Sequence, residues 1–416
     1  MDRLARIAGQ GFSSGLFPDQ KLQTAPLWTE GSNVLFSNEK IEVFPGANTL
    51  FTRPVSEAVT GLLELSPIVT GNPGVLVGHL DRLYCWDEVA GIQSLGTGYT
   101  GSVNATATMP ATRWSMAQYN EYMFATNGVD PLQLCKVLGT GFVAQTANTS
   151  TQFKYAEIIR KHKQFVLAFN LTLAAGTRQP NAFAWTDVNL PETWVPSATN
   201  SARKLYIPHL KSDINCVEGF GESLFVYTLD GVYNVSYIGY PDVYSAVPLL
   251  SGIGTYGKNC VTEARGKHVG FGPRGLWAFD GQSYDYIDNP PFRKFMRDNL
   301  NREQASKCVV YNDRTIQHVL IFFPGVGATE NSMGVAWNYI DNNFTEVVFA
   351  RSAASDTGQL EKAVTGDSTG NVYSQSEDVP AQTDADHSIP ITSEFSINTG
   401  YGDGGYGDRG YGGIGG

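Results

Sequence analysis

The sequence predicts an all-β protein, a β-propeller of about six to seven blades with one short inserted helix and a flexible Gly/Tyr C-terminal tail. Three observations predict it. A unit of apolar strand, tight turn, second strand ending in an aromatic, and polar loop recurs six or seven times along the chain. The apolar residues between turns alternate, as in Leu224, Val226, Val232 and Val235, which is the period of a strand and not of a helix. Glycine is abundant (45 residues) and aromatics make up 12 % of the chain, a pairing suited to tight turns joining half-buried pleated surfaces.

The units can be read in order. They cover residues 74–88, 113–126, 154–169, 214–238, 259–287, 307–323 with the strands that follow it, and 361–373. Asp230-Gly231 and Asp280-Gly281 are hairpin signals between apolar residues, and Asn120-Glu121 and Thr369-Gly370-Asn371 are placed to do the same work. Units repeating every ~40–60 residues indicate a solenoid, propeller or array. Four short strands per unit, without helices between, favour a propeller, whose radial sheets bury faces that no single blade could bury alone. Trp86, Trp114, Trp185, Trp277 and Trp337 fall about once per unit and are expected to pack between blades. Residues 1–50 are expected to contribute strands to a propeller spanning 51–395.

One segment breaks the pattern. From Asn289-Pro290-Pro291 onward, Phe292, Phe295, Met296 and Leu300 share one helical face, with prolines at the start. It is read as a helical insertion over 289–306, either a docking element or a cap on the propeller. Phe292, Arg293, Phe295, Met296 and Arg297 are the candidate docking or gating residues. Residues 396–416 form a low-complexity Gly/Tyr tail that cannot build a core.

Composition limits function. With 42 % hydrophobic and 17 % charged residues, the 416-residue chain can bury a large core. A net charge of −11 repels phosphate, which argues against sequence-specific DNA reading. Cys85, Cys135, Cys216, Cys260 and Cys308 are odd in number and far apart, so they read as small buried hydrophobes in a reducing compartment. No secretory h-region and no run of ~18 apolar residues is seen.

The chemical motifs are weak. Gly96–Gly101 and Gly252–Gly257 match GxGxxG but precede loop and strand, not the helix whose N-terminus would meet a pyrophosphate. Gly11–Gly15 matches GxSxG without the strand and helix of a nucleophile elbow. None of the six histidines has metal-site spacing. No catalytic, cofactor or metal residue is named, and no cofactor is expected.

The order of several motifs resembles a known family. Trp114–Tyr119 with Tyr122–Pro131, Lys163–Ala168 with Ala184–Asp187 and Thr193-Trp194, Leu224–Tyr233, and Gly270–Gly281 follow one another as in the podovirus tail hub proteins of tailed bacteriophages, also called tail nozzle or packaged-DNA stabilisation proteins. Val43-Phe44-Pro45-Gly46 resembles a segment near the start of that family. The resemblance covers well over half the chain and implies a non-enzymatic virion structural protein. That protein would form a ring, expected as a hexamer, around the DNA exit channel. Portal and adaptor proteins would lie above it and fibres or spikes outside, and packaged DNA would pass without sequence-specific binding. It would be made in the host cytoplasm and end in the virion tail. The alternatives are a β-propeller protein-binding module and a glycan-active propeller enzyme.

Overall fold

The computed structural model describes residues 27–28, 34–37, 40–51, 57–67, 73–100, 113–136, 140–149, 151–210, 212–356, 358, 360–380 and 397–398. The GxSxG match and all of the Gly/Tyr tail except residues 397–398 lie outside them.

The fold is a seven-bladed antiparallel β-propeller. Six blades are consecutive four-stranded meanders, beginning at Gly61–Leu65, Ser115–Tyr119, Tyr155–His162, Cys216–Phe220, Val261–Ala264 and Val309–Asp313. Blade 7 takes its first three strands, Ala353–Ser355, Val364–Gly366 and Val372–Pro380, from one end of the chain. Its fourth, Pro45–Phe51, comes from the other. This pairing closes the ring, because blade 7 then packs on blade 1.

Each joint between blades has its own apolar cluster. Seven clusters occupy the joints from 1–2 round to 7–1; Leu76 meets Met116 at one, and Val59 meets Val364 at the last. Second strands lie between two neighbours and are buried on both faces. Phe165–Thr172 and His318–Phe323 are therefore near-continuous apolar runs, where the alternating pattern of a half-exposed strand does not apply. Trp114, Trp185, Trp277 and Trp337 are all buried at joints. The Trp277 indole N–H also donates to the Gly254 carbonyl at 2.9 Å.

The turns repeat a local device. Asp87, Asn127, Asp280, Asn338 and Asp367 each accept backbone N–H bonds from residues two to four positions on. A short polar side chain thus caps the turn and fixes the register of the next strand. Asn120 adopts φ +50° and Gly281 φ +97°, the left-handed geometry these turns need.

The second GxGxxG match, in the link between blades 4 and 5, has a packing cause. A Cβ on Gly254 would lie 2.3 Å from the Leu229 carbonyl, and one on Gly257 would lie 2.1 Å from the Ser306 carbonyl. These glycines let backbones touch. Gly254→Ala is expected to cost about 2 kcal/mol or more, read as a lowered denaturation midpoint at an unchanged m-value.

The inserted helix is Pro290–Asn299, followed by a 3-10 turn at Arg302–Lys307. Asn289 caps it by accepting from the Phe292 N–H at 2.8 Å. None of the helices among the described residues is long and apolar enough to cross a membrane. All five cysteines are free and buried, and they fall into two structural sets. Cys85 and Cys135 lie on third strands, whereas Cys216, Cys260 and Cys308 mark the start of successive first strands. Burial pushes the Cys85 and Cys260 thiols up to about 12. The native protein should resist an aromatic disulfide reagent at pH 8, and all five thiols should react in denaturant.

Candidate functional site

The first strands of the seven blades run side by side around the axis, so their side chains converge on one central channel. A cavity of about 450 Å³ occupies it, with lining from all seven blades. Its two ends differ.

At the end where first strands begin, charged ties cross the channel. Lys258 Nζ donates to the Arg113 carbonyl at 2.7 Å and the Glu157 carbonyl at 3.1 Å, and pairs with Glu157 Oε2 at 3.3 Å. It thereby joins blade 5 to blades 2 and 3. Arg113 donates from Nη1 to the Ser352 carbonyl, and its Nη2 reaches Glu330 Oε2 at 3.1 Å. Glu330 also accepts from Lys307 Nζ at 2.8 Å. Burial lowers the Arg113 and Lys258 pKa values, with the Glu330 and Glu157 carboxylates opposing the shift. Both cations are held by neighbouring blades, although the Arg113 Nε is buried without a partner.

One level further in, Arg160 ties three blades. Its Nε donates to the Val217 carbonyl at 2.7 Å, Nη1 to Ser115 Oγ at 3.1 Å, and Nη2 to Glu218 Oε1 at 2.5 Å. Burial works against this charge, but the Glu218 carboxylate outweighs it and raises the Arg160 pKa. Arg160→Met should cost about 2 kcal/mol, because Glu218 is left half-buried without its cation. Arg160→Lys should recover only part of the loss, since an ammonium cannot make the fork. Urea titration of the three proteins checks this order.

The other end holds carboxylates. Thr262 Oγ1 lies 2.8 Å from each oxygen of Asp356, and the Asn312 N–H donates to Oδ1 at 2.8 Å. Burial, with Glu218 adding to it and the Asn312 and Thr262 bonds opposing, pushes Asp356 up to about 6. Glu263, Lys161 and His268 also line this part. His268 is committed to its blade joint: Nε2 donates to the Gly219 carbonyl at 3.1 Å, and Nδ1 accepts from Tyr227 OH at 2.6 Å. Among the described residues, no group of three or more His, Cys, Asp or Glu could hold a metal ion.

The residues singled out on the inserted helix divide by face. Phe292 and Met296 are buried in the joint between blades 5 and 6, and the Phe292 ring lies 4.7 Å from Phe344. Their docking role is corrected by this burial: apolar side chains at this spacing turn inward, so they cap the joint and present nothing to a partner. Phe295 packs partly buried against the same cluster. Arg293 is held by Asp288 through two bonds of 2.8 Å, and Arg297 is exposed beside Asp298. None of the five lines the central cavity. The residues that do, Arg160, Glu218, Lys258 and Asp356, were not singled out in the sequence. Arg160 lies in the basic run Arg160-Lys161-His162-Lys163, which by itself fits a solvated strand end, and its partner Glu218 lies 58 positions away.

No protein-family model matches the chain, and no curated protein matches it. Among solved structures it is similar to the computationally designed Ika8 protein, with 10 % identity, 88 % of this chain and 99 % of that chain covered, and a TM-score of 0.45.

Proposed function

We propose that the chain is a non-catalytic β-propeller scaffold that docks protein partners. One observation carries this reading: the buried charged side chains that converge on the channel are committed to bonds between blades. Arg113, Arg160 and Lys258 each join strands of different blades, so they rigidify the ring. A rigid body with variable loops is a docking platform. Incubating the protein with polysaccharide and chromogenic glycoside panels should give no turnover. Turnover abolished by Asp356→Asn or Glu263→Gln would overturn the reading in favour of a glycan-active enzyme.

A finer reading is a ring-forming tail hub of a tailed phage. The order of the motifs from Trp114 to Gly281 supports it, and so does one structural feature. The last two strands of blade 4, Gly231–Gly239 and Val243–Ser251, are nine residues each. The outer one carries no charged residue, and the hairpin exposes Ile238, Tyr240, Val247 and Leu249. Such an edge suits a lateral contact between subunits, and ring closure requires a different patch on the neighbour. Native mass spectrometry with negative-stain imaging tests this. A closed ring, alone or with portal and adaptor proteins, supports it. A protein that stays monomeric with every tail component overturns it and leaves the general scaffold reading standing.

A further inference from the structure

We propose that the carboxylate end of the central channel binds one cationic group, an alkylammonium or guanidinium, carried as a lysine or arginine side chain on a loop of the docked partner. This rests on the scaffold reading and names what its channel accepts.

The two ends of the cavity differ in charge pairing. At the end where first strands begin, the cations Lys258 and Arg160 already have their carboxylates, Glu157 and Glu218. At the other end the balance reverses. Asp356 and Glu263 both line the cavity, and among the described residues no cation lies within ion-pair distance of either. Lys161 is the opposing charge on the lining there. Asp356 is held in place by Thr262 and the Asn312 N–H, bonds that orient its carboxylate without neutralising it. A half-buried carboxylate without a cation is costly, and an entering cation repays that cost. Leu62, Leu63 and Met116 line the same space and would cover the alkyl stem behind a charged tip. A cavity of about 450 Å³ admits one such side chain and no folded element.

The groups facing Asp356 are Glu218, Glu263, Lys161, His268 and, at longer range, Arg314. Burial, with Glu218 adding to it and Arg314 opposing, disfavours the ionised form of Asp356, so the carboxylate takes up a proton near pH 6. Cation affinity should therefore fall between pH 7.5 and pH 5.

The test uses the full chain and n-butylguanidinium, with neutral n-butylurea as the same-shape control, followed by titration calorimetry at pH 7.5 and pH 5. Butylguanidinium should bind at least about tenfold tighter than butylurea at pH 7.5. Asp356→Asn should remove most of that difference, and Glu263→Gln, at an exposed position that folding tolerates, should weaken it by about threefold. Equal binding of the charged and neutral probes, or no binding of butylguanidinium at all, overturns the proposal. A blocked Gly-Arg-Gly tripeptide distinguishes the source. Binding at least as tight as butylguanidinium supports a partner loop, whereas binding tenfold weaker overturns the loop and assigns the site to a free small cation. Failure of every cationic probe leaves the scaffold reading to its own turnover and native-mass tests.

Discussion

A chain lacking residues 1–51 is expected to lose cooperative folding at 37 °C. Pro45–Phe51 supplies the fourth strand of blade 7, and without it the third strand, Val372–Pro380, presents an unpaired edge. The same deletion removes Phe44 and Leu35, both buried where blade 6 meets blade 7. Phe44 packs edge-on against Phe349, 5.2 Å away. Burial of these two side chains alone contributes about 2–3 kcal/mol each, and a domain's whole stability is about 5–15 kcal/mol. The effect should exceed that of any single surface change, because ring closure is shared by every blade. Calorimetry should show a lowered or absent transition, and the blunter variant Phe44→Ala should lose about 3–5 kcal/mol. A truncated chain that melts like the full one would mean that blade 7 is not closed by this strand.

Stability should fall steeply as pH drops from about 6.5 to 4. His162 and His318 are buried as neutral rings, and burial depresses both to about 4; Lys163 and Lys161 add to the shift at His162, while the Ile316 carbonyl and Asp341 oppose it at His318. In the unfolded chain a histidine takes its proton near 6.5. Below that pH the unfolded state binds protons that the folded state refuses, so the stability present at pH 7 is lost on acidification. Each ring accounts for up to about 3 kcal/mol by the usual conversion of pKa shift to free energy. Asp356 acts with the opposite sign. Raised to about 6, it is protonated first in the folded state and returns up to about 3 kcal/mol between pH 6 and pH 4. Two histidines outweigh one carboxylate, so the net slope is a loss. Thermal midpoints at pH 7 and pH 4.5 read it directly. His162→Gln should flatten the dependence and Asp356→Asn should steepen it. An Asp356→Asn protein with the wild-type slope would remove Asp356 from this account.

The cause of the histidine burial is structural. His162 donates from Nε2 to the Glu222 carbonyl and accepts at Nδ1 from Tyr244 OH, joining blades 3 and 4. His268 repeats the arrangement between blades 4 and 5 with Gly219 and Tyr227. A neutral imidazole offers one donor and one acceptor, which is what each joint supplies. In a sequence, a histidine beside a turn is ordinarily half-exposed. Nothing local separates that reading from a buried one, because the partners come from the next blade.

The class of fold and its punctuation are legible in the residues alone. Asp230-Gly231, Asp280-Gly281 and Asn120 act within a few residues of themselves, so their turns are visible without any knowledge of the rest of the chain. The prolines and the 292, 295, 296 spacing likewise placed the inserted helix. The blade number, the closure of blade 7 by Pro45–Phe51, the inward face of Phe292 and Met296, and the chemistry of the channel emerge only once the chain is folded. Strand 45–51 pairs with residues more than 300 positions away, and the channel brings together Arg113, Glu157, Lys258 and Ser352 from four blades. Turn geometry is a local energy and can be read locally. Closure and charge pairing are energies between distant segments, and they take values only when the ring sets the distances.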